Sequence, residues 1–250
     1  MNPYAHVYDD GFYSWVDRTA ERSARAVIPV VAELLRPKSV LDVGCGRGIW
    51  LAVWQSESVH DVAGIDGDYV DRSALAIPAD CFIATDLTRP FDLGRKFDLV
   101  ESLEVAEHLP EAAADRFVAS LALHGDAILF SAAQPGQGGE HHINEQRPEY
   151  WRTKFGRFGY RMFDPVRPLV AKSGQVDPWY KYNTFLFLRG AAVDTHAQRL
   201  SGSEITDLAD VPDPAPISWR FRRALLRSLP RGAVTRLSRI RYRVHNVLSG

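Results

Sequence analysis

Cysteine is scarce in this chain: Cys45 and Cys81 are the only two in 250 residues. Two thiols make no disulfide framework, which points to a reducing compartment and a cytoplasmic protein. No apolar run is long enough to cross a bilayer. The first residues, Met1-Asn2-Pro3-Tyr4, lack the basic region and apolar run of a secretory signal. Internal repeats are absent, and two common phosphate-binding signatures are incomplete. No Gly-Lys-Ser/Thr follows the glycines at 44–48, which argues against a P-loop. Ile49 occupies the place where a dinucleotide fingerprint needs its third glycine or alanine. Acidic residues are missing altogether from 217–250, which holds nine arginines (220, 222, 223, 227, 231, 236, 239, 241, 243). The remaining 21 basic residues face 31 acidic ones, so residues 1–216 carry a net charge of about −10. An acidic body is joined to a basic tail.

What is present fits one α/β domain with a full core and appendages: 46% of the residues are hydrophobic and 24% charged. The chain is organised around Val40-Leu41-Asp42-Val43-Gly44-Cys45-Gly46-Arg47-Gly48. A short apolar strand, 39–43, runs into three alternating glycines, and a helix-like apolar stretch follows from Ile49 to Trp54. Strand, glycine turn and helix together bring backbone N–H groups and a helix N-terminus up to a nucleotide-like ligand. Gly44 is placed for positive φ, and Gly46 and Gly48 allow close approach to the main chain. Asp42 would repel a phosphate but attract an ammonium or a sulfonium. This string resembles motif I of class I S-adenosylmethionine-dependent methyltransferases.

Later strands extend the resemblance over about residues 39–190. Asp66 ends a second strand, and Gly67 follows it. Its distance from Gly46 is that of a ribose-binding carboxylate, since two vicinal hydroxyls can donate to one carboxylate. A plain turn aspartate is the alternative. A third strand leads to Asp86 and Leu87. In the resembling family these positions accept from the adenine amino group and donate from the backbone; otherwise Asp86 is a cap. A fourth strand carries Ser102, Leu103 and Glu104 to its carboxyl end, beside the cofactor. Glu107-His108-Leu109-Pro110 follows, as in the family's Glu-His-Leu-Pro loop. By the same resemblance an N-terminal helix covers the cofactor, with Tyr13 over its methionine end unless that helix simply packs on the sheet. The implied fold is a Rossmann-like sheet of seven strands, the last antiparallel, flanked by helices. Expected boundaries are a covering segment 1–38, the core 39–190, a linker 191–216 and a basic helical tail 217–250.

The loop from Ala132 to Gln146 follows the fifth strand and opens toward the same crevice. It carries Glu140, His141, His142 and Glu145. Methyl transfer to a hydroxyl needs a base, and histidine suits that role near neutral pH. The expected base is His142, with His141 and His108 behind it and Glu145 orienting a ring. These histidines could instead hydrogen-bond the loop or hold a substrate hydroxyl. There is no Cys or His set at zinc spacing, so no metal is expected; a metal at Glu140, His141 and His142 assisting methylation of a sugar hydroxyl is the alternative. The sequence therefore predicts an O-methyltransferase that uses S-adenosylmethionine on a small molecule or glycan. The competing readings are N-methylation of a small amine, nucleic-acid methylation through the arginine tail, and a non-catalytic cofactor-binding scaffold. Nucleic acid is disfavoured by the acidic body. The tail, with Phe221, Leu225 and Leu229 at helical spacing, suits peripheral attachment to an anionic membrane surface, the inner one for a cytoplasmic protein. Docking on an acidic protein body is the other reading of the tail.

Overall fold

The computed structural model describes residues 10–206, 210–230 and 232–235, with side chains from residue 17 onward. The side chain of Tyr13 lies outside the described residues, as does the tail from 236 on.

Among the described residues eight strands form one sheet: β1 (Ser39–Val43), β2 (Asp61–Asp66), β3 (Phe82–Ala84), β4 (Leu99–Leu103), β5 (Ala127–Ser131), β6 (Arg161–Phe163), β7 (Phe185–Leu188) and β8 (Glu204–Ile205). Their spatial order is β3-β2-β1-β4-β5-β7-β6-β8. Neighbours among β1 to β5 run parallel, and β7 is antiparallel to both β5 and β6. Every residue of β4 and β5 is buried, as expected of parallel strands covered on both faces. The order reverses between β1 and β4, which opens a crevice at their carboxyl ends.

Two apolar layers cover the sheet. On one face α1 (Asp10–Leu35) and α2 (Ile49–Ser56) pack Val27, Ile28, Val31, Leu51 and Trp54 against it. On the other, α3 (Ala114–His124) and α4 (Pro148–Gly156) supply Phe117, Leu121, Trp151 and Phe155. Among the described residues no helix is long and apolar enough to cross a membrane.

Two expectations need correction. Among the described residues the sheet has eight strands, not seven, because β8 pairs antiparallel with β6. The stretch 191–216 is not simply a linker: it carries α7 (Ala191–His196) and then β8. Strand β8 has only two residues and no apolar alternation to reveal it. It is held by Asp164 N–H donating to Ser203 O at 2.7 Å and by Arg161 Nε donating to Glu204 Oε1 at 2.7 Å.

Between β6 and β7 lie α5 (Val166–Val170) and α6 (Pro178–Asn183). The basic segment forms α8 (Ile217–Arg227), and Arg223 on its inner face is buried. Arg223 donates to Gln134 Oε1 at 2.9 Å and to Asp213, and Arg222 donates to Gln137 O at 2.8 Å. The helix lies so close to the loop that a Cβ on Gly136 would come 2.1 Å from Arg223 O. Its outer face leaves Ile217, Phe221 and Leu225 exposed at 83%, 72% and 55%.

Candidate active site

One half of the crevice is made by backbone. Gly44, Gly46 and Gly48 all take positive φ, at 89°, 54° and 81°. Gly44 N–H donates to Ile65 O at 2.8 Å, which fastens the turn to the end of β2. A Cβ on Gly44 would lie 2.3 Å from Val105 Cγ2, whereas one on Gly46 would meet nothing within 4 Å. The middle of the turn therefore presents open main chain, as a nucleoside ligand requires, and the glycine-turn residues fit the cofactor that the resemblance implies. Arg47 of the turn pairs with Asp17 of α1 at 3.2 Å, so α1 is fastened beside it.

Three acids lie beneath the turn. Asp42 on β1 is in register with Glu101 on β4. Burial, then the nearby Glu101 and Asp66 carboxyls, pushes Asp42 well above the usual carboxylate range. Burial also lifts Glu101 to about 8, against the hydrogen bond from Trp54 Nε1 at 3.0 Å. An incoming cation favours the charged forms of such acids. Asp66 ends β2 as expected, but its oxygens are already engaged. They accept from Gly46 N–H at 2.7 Å, Gly67 N–H at 2.6 Å and the Tyr69 hydroxyl. Sequence reasoning missed Tyr69, which sits over this carboxylate. A Cβ on Gly67 would come 2.1 Å from the Tyr69 ring.

Asp86 is exposed. It accepts from Thr88 N–H at 3.0 Å and Thr88 Oγ1 at 2.6 Å and pairs with Arg89, so it caps the turn after β3. The Thr88 hydrogen bond is the main cause of its lowered pKa. Leu87 is buried and packs in the core. Ser102 Oγ donates to Val43 O at 2.8 Å and joins β4 to the end of β1. Leu103 beside it packs in the core.

The other half of the crevice is made by side chains from distant segments. Glu104 leaves β4 with φ 58°, uncommon for a non-glycine residue. Its Oε2 accepts from Gln137 Nε2 at 2.6 Å and its Oε1 from Asn183 Nδ2 at 3.2 Å. Asn183 also donates to Gln137 Oε1 at 2.7 Å and accepts from Gln134 Nε2 at 3.1 Å. Gln134 is the residue that Arg223 reaches, so a polar chain links Glu104 to α8. Burial raises the Glu104 pKa in spite of these donors. None of the three amides stood out in the sequence.

His142 and Glu145 come together as expected: His142 Nδ1 lies 3.0 Å from Glu145 Oε1. Glu145 also accepts from Gly136 N–H at 2.7 Å and Gly138 N–H at 3.0 Å. Burial alone would raise its pKa, but the His142 hydrogen bond and these N–H groups lower it. The His108 ring meets the His142 ring edge-on, with centroids 4.9 Å apart. Burial and the neighbouring His142 lower His108 to about 3, so it is neutral and a weak base. His141 takes φ 56°, so the loop turns sharply just before His142. Ile143 N–H and Asn144 N–H both donate to Glu107 O, at 2.9 and 3.0 Å, which stitches the loop to the segment after β4. A Cβ on Gly139 would lie 2.1 Å from His142 Nε2, so glycine there makes room for the ring.

Residues 16–210 match the family described as "Methyltransferase domain". No curated protein is significantly similar in sequence. Solved structures share the fold. Streptomyces venezuelae DesVI is 17% identical, with TM-score 0.54, covering 71% of this chain and 97% of its own. The sugar N-methyltransferase KedS8 of Streptoalloteichus is 19% identical, with TM-score 0.52, covering 67% and 87%. Magnesium protoporphyrin IX methyltransferase of Synechocystis, solved with S-adenosylhomocysteine bound, is 21% identical, with TM-score 0.51, covering 75% and 93%. The chain belongs to the methyltransferase-domain family and is a class I, S-adenosylmethionine-dependent methyltransferase.

Proposed function

We propose that this enzyme methylates a hydroxyl of a small molecule or glycan, with His142 as the base. The observation that carries this reading is the His142–Glu145 pair, placed on the loop after β5 and so at the crevice that the glycine turn borders. When bound, S-adenosylmethionine supplies a methyl group already activated on a sulfonium sulfur. The glycine turn would receive it, with Asp42 beneath the charge, Asp66 and Gly67 at the ribose and Leu87 at the adenine. Ser102 to Glu104 would line the floor and Tyr13 would cover the methionine end. Asp86, whose Oδ1 is engaged by Thr88, would accept from the adenine amino group on Oδ2.

The remaining chemistry is alignment and removal of one proton. Glu145 accepts from Nδ1–H of His142, which leaves Nε2 with the lone pair. Nε2 takes the hydroxyl proton while the new O–C bond replaces the S–C bond. His108, held neutral, positions the His142 ring, and His141 follows the turn of the loop. Calorimetry with S-adenosylmethionine followed by a methyl-label screen of sugar and small-molecule alcohols tests the reading. Label transfer to alcohols that His142→Ala abolishes supports it. Transfer only to amines, unaffected by His142→Ala, selects the N-methyltransferase reading instead.

We further infer that α8 attaches the enzyme to an anionic membrane surface. Its exposed Ile217, Phe221 and Leu225 lie along one stripe, flanked by Arg220 and Arg227. Arg222 and Arg223 meanwhile bind the body. Phe221→Ser with Leu225→Ser should halve pelleting with phosphatidylserine vesicles, or reduce it further; equal pelleting would contradict it.

A further inference from the structure

Glu107 is fully buried, and neither of its carboxylate oxygens has a hydrogen-bond partner. His108 beside it has a buried Nδ1, also without one. Such groups call for an explanation, and an ion is one that serves. Glu107, His108 and His142 each place one ligand atom so that all three lie within 4.8 Å of one another.

We propose that Glu107, His108 and His142 together bind one divalent transition-metal cation. Ligand atoms about 2.1 Å from a common centre lie about 3.4 Å apart, so side-chain shifts of about 1 Å close the site.

His142 carries an outer partner of the kind metal-bound histidines have. Its Nδ1 lies 3.0 Å from Glu145 Oε1, which fixes the tautomer and turns Nε2 into the ligand. Glu145 is itself anchored by two main-chain N–H groups. The Ile143 and Asn144 bonds to Glu107 O hold the two segments in place without metal. Two imidazoles and one carboxylate suit Zn²⁺, Co²⁺, Mn²⁺ or Fe²⁺ better than Mg²⁺ or Ca²⁺. Three protein ligands leave further positions for the acceptor.

The catalytic use of such an ion rests on the hydroxyl reading above. A hydroxyl bound to it ionises more readily, its proton passing to solvent, and His142 then serves as ligand in place of base.

The test titrates Co²⁺ into the chelator-stripped full-length protein, followed by calorimetry and visible absorption. One equivalent should bind per chain, with the d–d bands of an imidazole–carboxylate site. Glu107→Gln and His108→Ala should each weaken binding at least tenfold, and Glu145→Gln about 10- to 100-fold. S-adenosylhomocysteine binding by each variant reports that it is folded. No uptake by the wild type at millimolar Co²⁺, or equal uptake by folded Glu107→Gln and His108→Ala proteins, would overturn the site. Stripped enzyme that still methylates an alcohol at full rate would overturn the ion's part in the reaction and leave the hydroxyl reading standing. Uptake at these residues with no alcohol ever methylated would support the site and refute that reading.

Discussion

The two halves of the crevice are built differently. On the β1–β2 side the groups are main-chain atoms of one contiguous turn, and their conformation is set by the glycines themselves. On the β4–β5 side they are Glu104, Glu107, His108, Gln137, His142, Glu145 and Asn183, drawn from three separated segments and held by hydrogen bonds between them. The first half therefore tolerates no added atom where it is packed. The second is held by side-chain hydrogen bonds between segments, so the proposed chemistry there should depend on single side chains.

The largest expected effect falls in the side-chain half. His142→Ala should lower turnover on an alcohol by about 10²- to 10⁴-fold while calorimetric affinity for S-adenosylhomocysteine stays within about twofold of wild type. Loss of both together would show that the halves are not separable. In the backbone half, Gly44→Ala forces a side chain into positive φ and against Val105. It should cost about 2–5 kcal/mol in urea unfolding. A cost below about 1 kcal/mol would mean that the turn is less tightly packed than described.

Between the halves lies Glu101. Its folded-state pKa, raised to about 8 by burial, exceeds its ordinary value of 4.5. The folded chain therefore holds a proton that the unfolded chain has released. That contribution is complete below about pH 4.5 and is lost as pH rises toward 8. Glu101→Gln should flatten the fall in stability across this window and give a higher melting temperature than wild type at pH 8. Parallel pH profiles would contradict it. The smallest effect is expected at Tyr69. Tyr69→Phe removes its hydrogen bond to Asp66 and should tighten S-adenosylmethionine binding by about threefold. Weaker binding would show that Tyr69 helps to hold the cofactor.

The backbone half was legible in the sequence because it is local. The string from Val40 to Gly48 states strand, turn and helix in order, and the spacing from Gly46 found Asp66. The buried parallel strands were readable as apolar runs, even with Glu101 inside one. What the sequence did not show depends on packing. Tyr69 meets Asp66 only through the fold of the loop after β2. Gln134, Gln137 and Asn183 are ordinary loop amides until burial makes them a network. Asp86 has the right place in the order of strands but faces Thr88 and Arg89. Glu107 and His108 are far from His142 in sequence, and bonds such as those of Ile143 and Asn144 to Glu107 O draw the two segments together.

The most direct measurement is a calorimetric titration of S-adenosylmethionine into the full-length protein and into Gly46→Val, whose new side chain would enter the open face of the turn. One site per chain in the wild type, weakened at least tenfold in the variant, is the predicted result. No heat at millimolar ligand in the wild type, or equal binding by both proteins, would contradict a methyl donor seated on the glycine turn.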